Sequence, residues 1–400
     1  MKTVALVAPD SSGHHEMYLR LLMQTLVDCG HRIAVFTPHA ALIQQWAEST
    51  LQTKPEQIQT IELTYRQKYH LPGVLSVWFG KTAWVRGVSS MIRLSGVTPD
   101  LVFHTWLDNC LTPGLSASLT DALFPYQWSG IYFHPWYLRR KMRYERLRHG
   151  TFANYAALMS HRCPAVAVLD EGIAEKLRGA INGKPVITFP DFTDTTAPEP
   201  DYPVAKQIIT NARGRKIVSL LGVLTNRKGL LMLINIARQA ADENFFFVFA
   251  GQFDRASYSI AELGIIDSFA ASKPENCLFH FDRIETESRF NALVALSDVV
   301  YAAYLGFYSS SDLMTTAAVF KKPVLVSEGG LMGERVHRYG LGIAIEENNT
   351  SQCLDALRLL CNNVSGTGSL PMPRYDEYAK LHSVSQLSSA FRSLLGAAGI

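Results

Sequence analysis

Residue types able to do chemistry fall in a few places along the 400 residues, and the richest lies between Gly306 and Asp312. There the hydroxyls of Ser309, Ser310 and Ser311 run directly into the carboxylate of Asp312, at the start of a helical stretch. Lys228-Gly229 stands at another helix start, a short turn beyond Gly222, and Arg283 follows a third apolar run. Hydroxyls, an ammonium and the N–H groups of a helix N-terminus are the donors that hold phosphate. In the first half, His104 and His134 each close an apolar run, and Asp108 follows His104. Histidine and carboxylate at such places take or orient a proton, which makes His134, Asp108 and His104 the catalytic candidates. The turn that contains Ser12, Gly13 and His14 ends the first apolar run and adds a polar, glycine-containing loop. A lone histidine after a strand is also a common core residue, and a polar turn is also just a turn. Both readings stay open for these positions.

The elements that must position these residues follow from periodicity. Residues 299–301 are an apolar strand, 313–320 a helix and 323–327 a second strand leading into Gly329-Gly330. Strand, polar turn, helix, strand is a right-handed crossover, so the strands are parallel. The same alternation opens the chain: a strand at 4–8, a helix at 16–29 with Leu19, Leu22, Met23 and Leu26 on one face, and a strand at 31–36. Its first turn lacks GxGxxG, so a dinucleotide fingerprint is not supported. Further strands are expected at 100–104, 130–136, 164–168 and 185–189. Residues 193–203, TDTTAPEPDYP, have no hydrophobic period and read as an interdomain linker. A second series follows with strands at 216–222, 245–250 and 278–281 and helices at 230–241, 287–296 and 353–361. The expected domains are 1–192 and 205–372, with a final helix over 375–400 crossing back to the first.

Composition narrows the classes. A net charge of +3 is too small to imply nucleic acid, and no run approaches the roughly 20 apolar residues of a membrane span. MKTVALVAPD reads as a buried strand rather than a signal peptide. The six cysteines include no CxxC pair and read as reduced core thiols, which points to the cytoplasm and away from a zinc site. Two stretches mix bases with aromatics: 65–96, which includes Lys81 and Trp84, and the arginine-rich 137–149. An anionic acceptor or peripheral contact with a membrane surface is one reading of each. A helix packed on the sheet, or a solvated helix face, is the other.

With these pieces in order, nearly the whole chain resembles the GT-B glycosyltransferases, most closely the large family 4 group. The resemblance rests on Gly222 followed by Lys228-Gly229, on the segment FHFDRIETESRFNALVALSDVVYAAY, and on Ala317, Pro323, Val324, Gly329, Gly330 and Glu334 in AAVFKKPVLVSEGGLMGERV. It implies an α/β fold of two Rossmann-like domains whose parallel sheets face an interdomain cleft. It implies a nucleotide diphosphate sugar as donor, an acceptor hydroxyl, retention at the anomeric carbon, and no cofactor or metal. Lys228, Gly222, Arg283 and Ser309–Asp312 would bind the donor, and His134 its sugar or diphosphate. The family's two glutamates fall on Tyr308 and Thr316, neither acidic, so Thr316 offers only a hydroxyl to the ribose. The alternative is a catalytically silent binder of a nucleotide sugar or of a partner.

Overall fold

The structure is a computed structural model, and it describes residues 1–10, 14–51, 57–64, 74–139, 152–362 and 370–400. The chain divides into two compact units, Met1–Pro190 with Val384–Ile400, and Asp191–Ser383. The first unit runs β1 (Thr3–Val7), α1 (His14–Asp28), β2 (Arg32–Thr37), α2 (Ala40–Thr50), β3 (Ile58–Glu62) and α3 (Val74–Leu94). It continues with β4 (Leu101–His104), α4 (Ala117–Leu123), β5 (Trp128–Tyr132), β6 (Val166–Val168), α5 (Glu171–Ala180) and β7 (Val186–Thr188). Its seven strands form one parallel sheet in the order β3-β2-β1-β4-β5-β6-β7.

The second unit holds α6 (Pro203–Ala212), β8 (Lys216–Leu221), α7 (Leu230–Gln239), β9 (Phe245–Ala250), α8 (Ile260–Ala271), β10 (Cys277–His280) and α9 (Glu287–Leu296). Then come β11 (Val299–Ala302), α10 (Asp312–Val319), β12 (Val324–Ser327), α11 (Leu331–Tyr339), β13 (Gly342–Ile345), α12 (Thr350–Asn362) and α13 (Tyr375–Leu381). Its parallel sheet has the order β10-β9-β8-β11-β12-β13. Each unit is therefore a Rossmann-like α/β domain. Alternate residues of β9 show why its sequence is apolar throughout. Phe245, Phe247 and Phe249 pack with Leu233 and Ile236 of α7, whereas Phe246, Val248 and Ala250 pack with Leu293 of α9 and Ala317 of α10. A strand covered on both faces loses its polar alternation.

Two expectations are corrected. Residues 193–203 are not a free linker: they are laid along α9 inside the second unit. Asn291, 1% exposed, donates to the carbonyls of Asp194 and Thr196, and Glu199 pairs with Arg289. The expected single helix over 375–400 is two. α13 stays with the second unit, and the chain breaks at His382, whose Nδ1 accepts the Asp191 amide at 3.0 Å. α14 (Val384–Ala397) belongs to the first unit, where Phe391 meets Phe103 and Thr25 bonds Ser388.

Candidate active site

In the second sheet the strand order reverses between β8 and β11, and ligands of open parallel sheets bind beyond the carboxyl ends at such a switch point. The loops that leave those two strands carry Lys228 and the serines. Gly222 takes φ +96°, a left-handed conformation that favours glycine, and Lys228 Nζ lies 2.8 Å from where its Cβ would stand. Lys228 Nζ donates to the Leu221 carbonyl at 2.9 Å and lies 5.2 Å from the Tyr304 ring centre. The neighbouring Arg227 guanidinium sits 4.4 Å over Phe307, and its carbonyl accepts the Leu305 amide. Both cations are thus seated against the loop after β11.

That loop is held from several elements. The Gly306 amide donates to the Glu347 carboxylate at 2.9 Å, and the Ser310 hydroxyl accepts from Arg335 of α11. Arg335 is 1% exposed and also donates to Tyr378 Oη at 3.3 Å; a buried guanidinium is tolerable only when it is bonded in this way. A Cβ on Gly330 would lie 2.8 Å from the Phe307 carbonyl, so glycine lets the start of α11 close on the same loop. Ser311 is the N-cap of α10 without a side-chain cap bond, and Asp312 accepts its neighbour's amide, from Leu313, at 2.9 Å. The serines, Lys228 and Gly222 therefore gather at one sheet edge. Arg283 does not join them: it is exposed beyond β10, the edge strand two places from β8.

Thr316 is also turned away from that edge. It is 2% exposed, and its hydroxyl donates to the Asp312 carbonyl at 3.1 Å and bonds Thr193 at 2.6 Å. Tyr308, at the other family glutamate position, gives its carbonyl to the Leu331 amide. Arg227 and Arg335 escaped the sequence reading. Arg227 was legible as the residue beside Lys228, whereas only the tertiary contact with Ser310 marks Arg335.

The first sheet reverses between β1 and β4. Ser12 and Gly13 lie outside the described residues; His14 begins α1, and its side chain lies outside them too. Beyond β4, a 3-10 turn, Leu107–Cys110, carries Asp108. Asp108 accepts the Phe133 amide at 2.9 Å and the His134 amide at 3.0 Å, and its Oδ1 is 3.2 Å from His134 Nδ1. A carboxylate at Nδ1 assigns the proton to that nitrogen and leaves Nε2 as the acceptor. The His134 side chain is 45% exposed and that of Asp108 16%, so the pair opens outward through the imidazole. From α3, Lys81 Nζ donates to the carbonyls of Asp108 and Leu111 at 2.7 and 2.6 Å. Burial lowers the Lys81 pKa, opposed by the Asp108 charge. Lys81 thus props the turn instead of facing a membrane or acceptor, and Trp84, Val85, Val88 and Ile92 are buried core. Arg139 pairs with Asp170, Arg86 and Arg93 are exposed on α3, and residues 65–73 and 140–149 of the two basic stretches lie outside the described residues.

His104 stands apart from this pair. It is 3% exposed, with Nδ1 3.5 Å from Cys110 Sγ and its ring against Phe124 and Trp128. It is a core histidine, and burial lowers its pKa to about 4. The folded value lies below the unfolded value of about 6.5, so the neutral form is favoured and stability is present above pH 6.5. It is lost as pH falls towards 4, by about 3 kcal/mol in total. The melting temperature is expected to fall over that window, and less steeply in His104→Gln. Identical slopes for the two proteins would remove this role.

Among the described residues no group of three or more His, Cys, Asp or Glu side chains converges on one point, and no helix is long and apolar enough to cross a membrane.

No protein-family model and no curated protein matches the sequence. Solved structures do match the fold. A glycosyltransferase from Rickettsia africae ESF-5 is 16% identical, with 99% of this chain and 97% of that one covered at a TM-score of 0.63. Sucrose-phosphate synthase from Thermosynechococcus elongatus is 16% identical over 99% and 100% of the two chains, with a TM-score of 0.68. HepE from Anabaena, in complex with UDP and glucose, is 12% identical over 99% and 100%, with a TM-score of 0.64. The likeness is one of architecture, and the architecture is GT-B.

Proposed function

We propose that this GT-B chain is a glycosyltransferase that moves a sugar from a nucleotide diphosphate sugar to an acceptor hydroxyl. The observation that carries the reading is the Lys228 ammonium, seated in the Gly222 turn beside the serine loop at the switch point of the second sheet. Transfer breaks the bond between the anomeric carbon and the diphosphate oxygen, and negative charge grows on the leaving group. A fixed ammonium, the serine hydroxyls and the N-terminus of α10 stabilise that charge without reorganising. The HepE complex with UDP favours uridine as the base. Cationic groups in this position do the work that a metal does elsewhere, so the reaction is proposed to need none.

The resemblance to family 4 favours retention. The Asp108–His134 pair favours a second course, inversion: Nε2 takes the proton of the acceptor hydroxyl as its oxygen bonds the anomeric carbon, and Asp108 steadies the imidazolium. The anomeric proton coupling of the product, read by NMR, decides between them. The silent-binder reading is favoured by Tyr308 and Thr316 in the glutamate places, since the Thr316 hydroxyl is already bonded within the unit.

The test is a thermal-shift panel of UDP-, GDP-, ADP-, CDP- and TDP-sugars without added metal. A donor at about 100 times its Kd stabilises the native state by about 2.7 kcal/mol. That corresponds to roughly 5–11 °C for units of this size, at about 2–4 °C per kcal/mol. A UDP-sugar is expected to respond and to be consumed when acceptors are added. Response with neither transfer nor hydrolysis supports the silent binder; no response from a folded protein removes the donor reading.

A further inference from the structure

We propose that the aromatic cluster beside His134 is a saccharide subsite, with Trp106 as its stacking platform, and that the acceptor hydroxyl is carried by a pyranose. The role of the subsite in transfer rests on the glycosyltransferase reading; its binding chemistry does not. Four rings meet where the first sheet reverses. Trp106, directly beyond β4, lies 4.2 Å from the His15 ring, 5.5 Å from Phe133 and 5.9 Å from His134, centre to centre. His15, tilted 36°, overlaps part of the indole, Phe133 and His134 are tilted 44° and 33° to it, and Trp106 is partly exposed. Phe133 is anchored from behind by an edge-on contact with Tyr18, which is buried.

This wall suits a pyranose for two reasons. An indole face carries the negative part of the ring quadrupole, and the axial C–H groups of a sugar ring present weakly positive hydrogens to it. The equatorial hydroxyls then project past the ring edge. His134 is held at that edge because its amide and the Phe133 amide both bond Asp108, so a hydroxyl of a sugar on Trp106 comes within reach of Nε2. An alkyl or isoprenoid chain on the same wall would strip water from the imidazole nitrogen and return no hydrogen bond, which is costly. The basic–aromatic stretches raised an anionic or lipid acceptor, and the geometry of the described site points instead to a sugar.

The probes are the methyl glucopyranosides, galactopyranosides and mannopyranosides, with cyclohexanol as an apolar ring of similar size. They are titrated into the full chain without donor and followed by saturation-transfer NMR and calorimetry. At least one glycoside is expected to bind and to exchange magnetisation with indole protons, and cyclohexanol is not. Trp106→Ala is expected to weaken that glycoside about tenfold, equivalent to 1.4 kcal/mol. Trp106→Phe, which keeps a ring face, is expected to lose much less and serves if the alanine variant does not fold. No glycoside binding, equal binding of cyclohexanol, or unchanged affinity in Trp106→Ala overturns the proposal. Transfer to an acceptor without a sugar would also overturn it and leave the transferase reading standing. Glycoside binding lost in Trp106→Ala, together with no response to any nucleotide sugar, would do the reverse.

Discussion

Lys228→Ala is expected to lower kcat/KM by about two to three orders of magnitude, the scale for removing one preorganised donor from a developing oxyanion. The same change should raise the donor Kd, because the ammonium also meets the ground-state diphosphate. Its effect on folding is smaller. Lys228 gives one hydrogen bond to the Leu221 carbonyl, and losing a bond of that kind costs about 1 kcal/mol. Lys228→Arg is not expected to rescue. The ammonium lies 2.8 Å from the point where a Gly222 Cβ would stand, and a planar guanidinium fork is wider than the compact charge it replaces. Donor affinity by calorimetry and single-turnover rates separate the two effects. An alanine variant with wild-type donor affinity and rate would mean that the phosphate binds elsewhere.

His134→Ala is expected to reduce kcat by about 10²–10⁴, the usual worth of a positioned base, while leaving the donor-induced rise in melting temperature intact. In that role His134, in the first unit, serves the acceptor, and Lys228, in the second, serves the donor. Asp108→Asn should be nearly as damaging to turnover, for a different reason. The carboxylate accepts the Phe133 and His134 amides on its two oxygens, whereas an asparagine must turn its NH2 group towards one of them. That variant loses stability too, by about 1–3 kcal/mol, so its kinetics belong well below its melting temperature. A His134→Ala enzyme that transfers at the wild-type rate but melts early would make the histidine a packing residue.

What the sequence determined by itself was local and periodic. The strand expected at 245–250 and the helix expected at 287–296 are β9 and α9, and the structure adds that the Thr286 hydroxyl caps the helix. The polar residues beyond strand ends declared which sheet edge carries chemistry, because parallel strands send their loops to one side. Elements with weaker local signals were passed over. The edge strand β3 is short, with mixed polarity, and α8 is apolar around most of its circumference, although Ser259 and Glu262 cap it reciprocally. The tertiary structure alone decided which polar groups meet. Asp108 and His134 become a pair because β4 and β5 lie side by side in the sheet, and His104, from the same strand end, goes into the core because its ring points at Trp128 instead of outward. Lys81 is drawn from a surface reading into the Asp108 turn by two carbonyls, and Arg335 is drawn inward by Ser310 and Tyr378. Periodicity specifies the face a residue occupies; hydrogen-bond partners far apart in the chain are specified only when strand order brings them within 3 Å or so of each other.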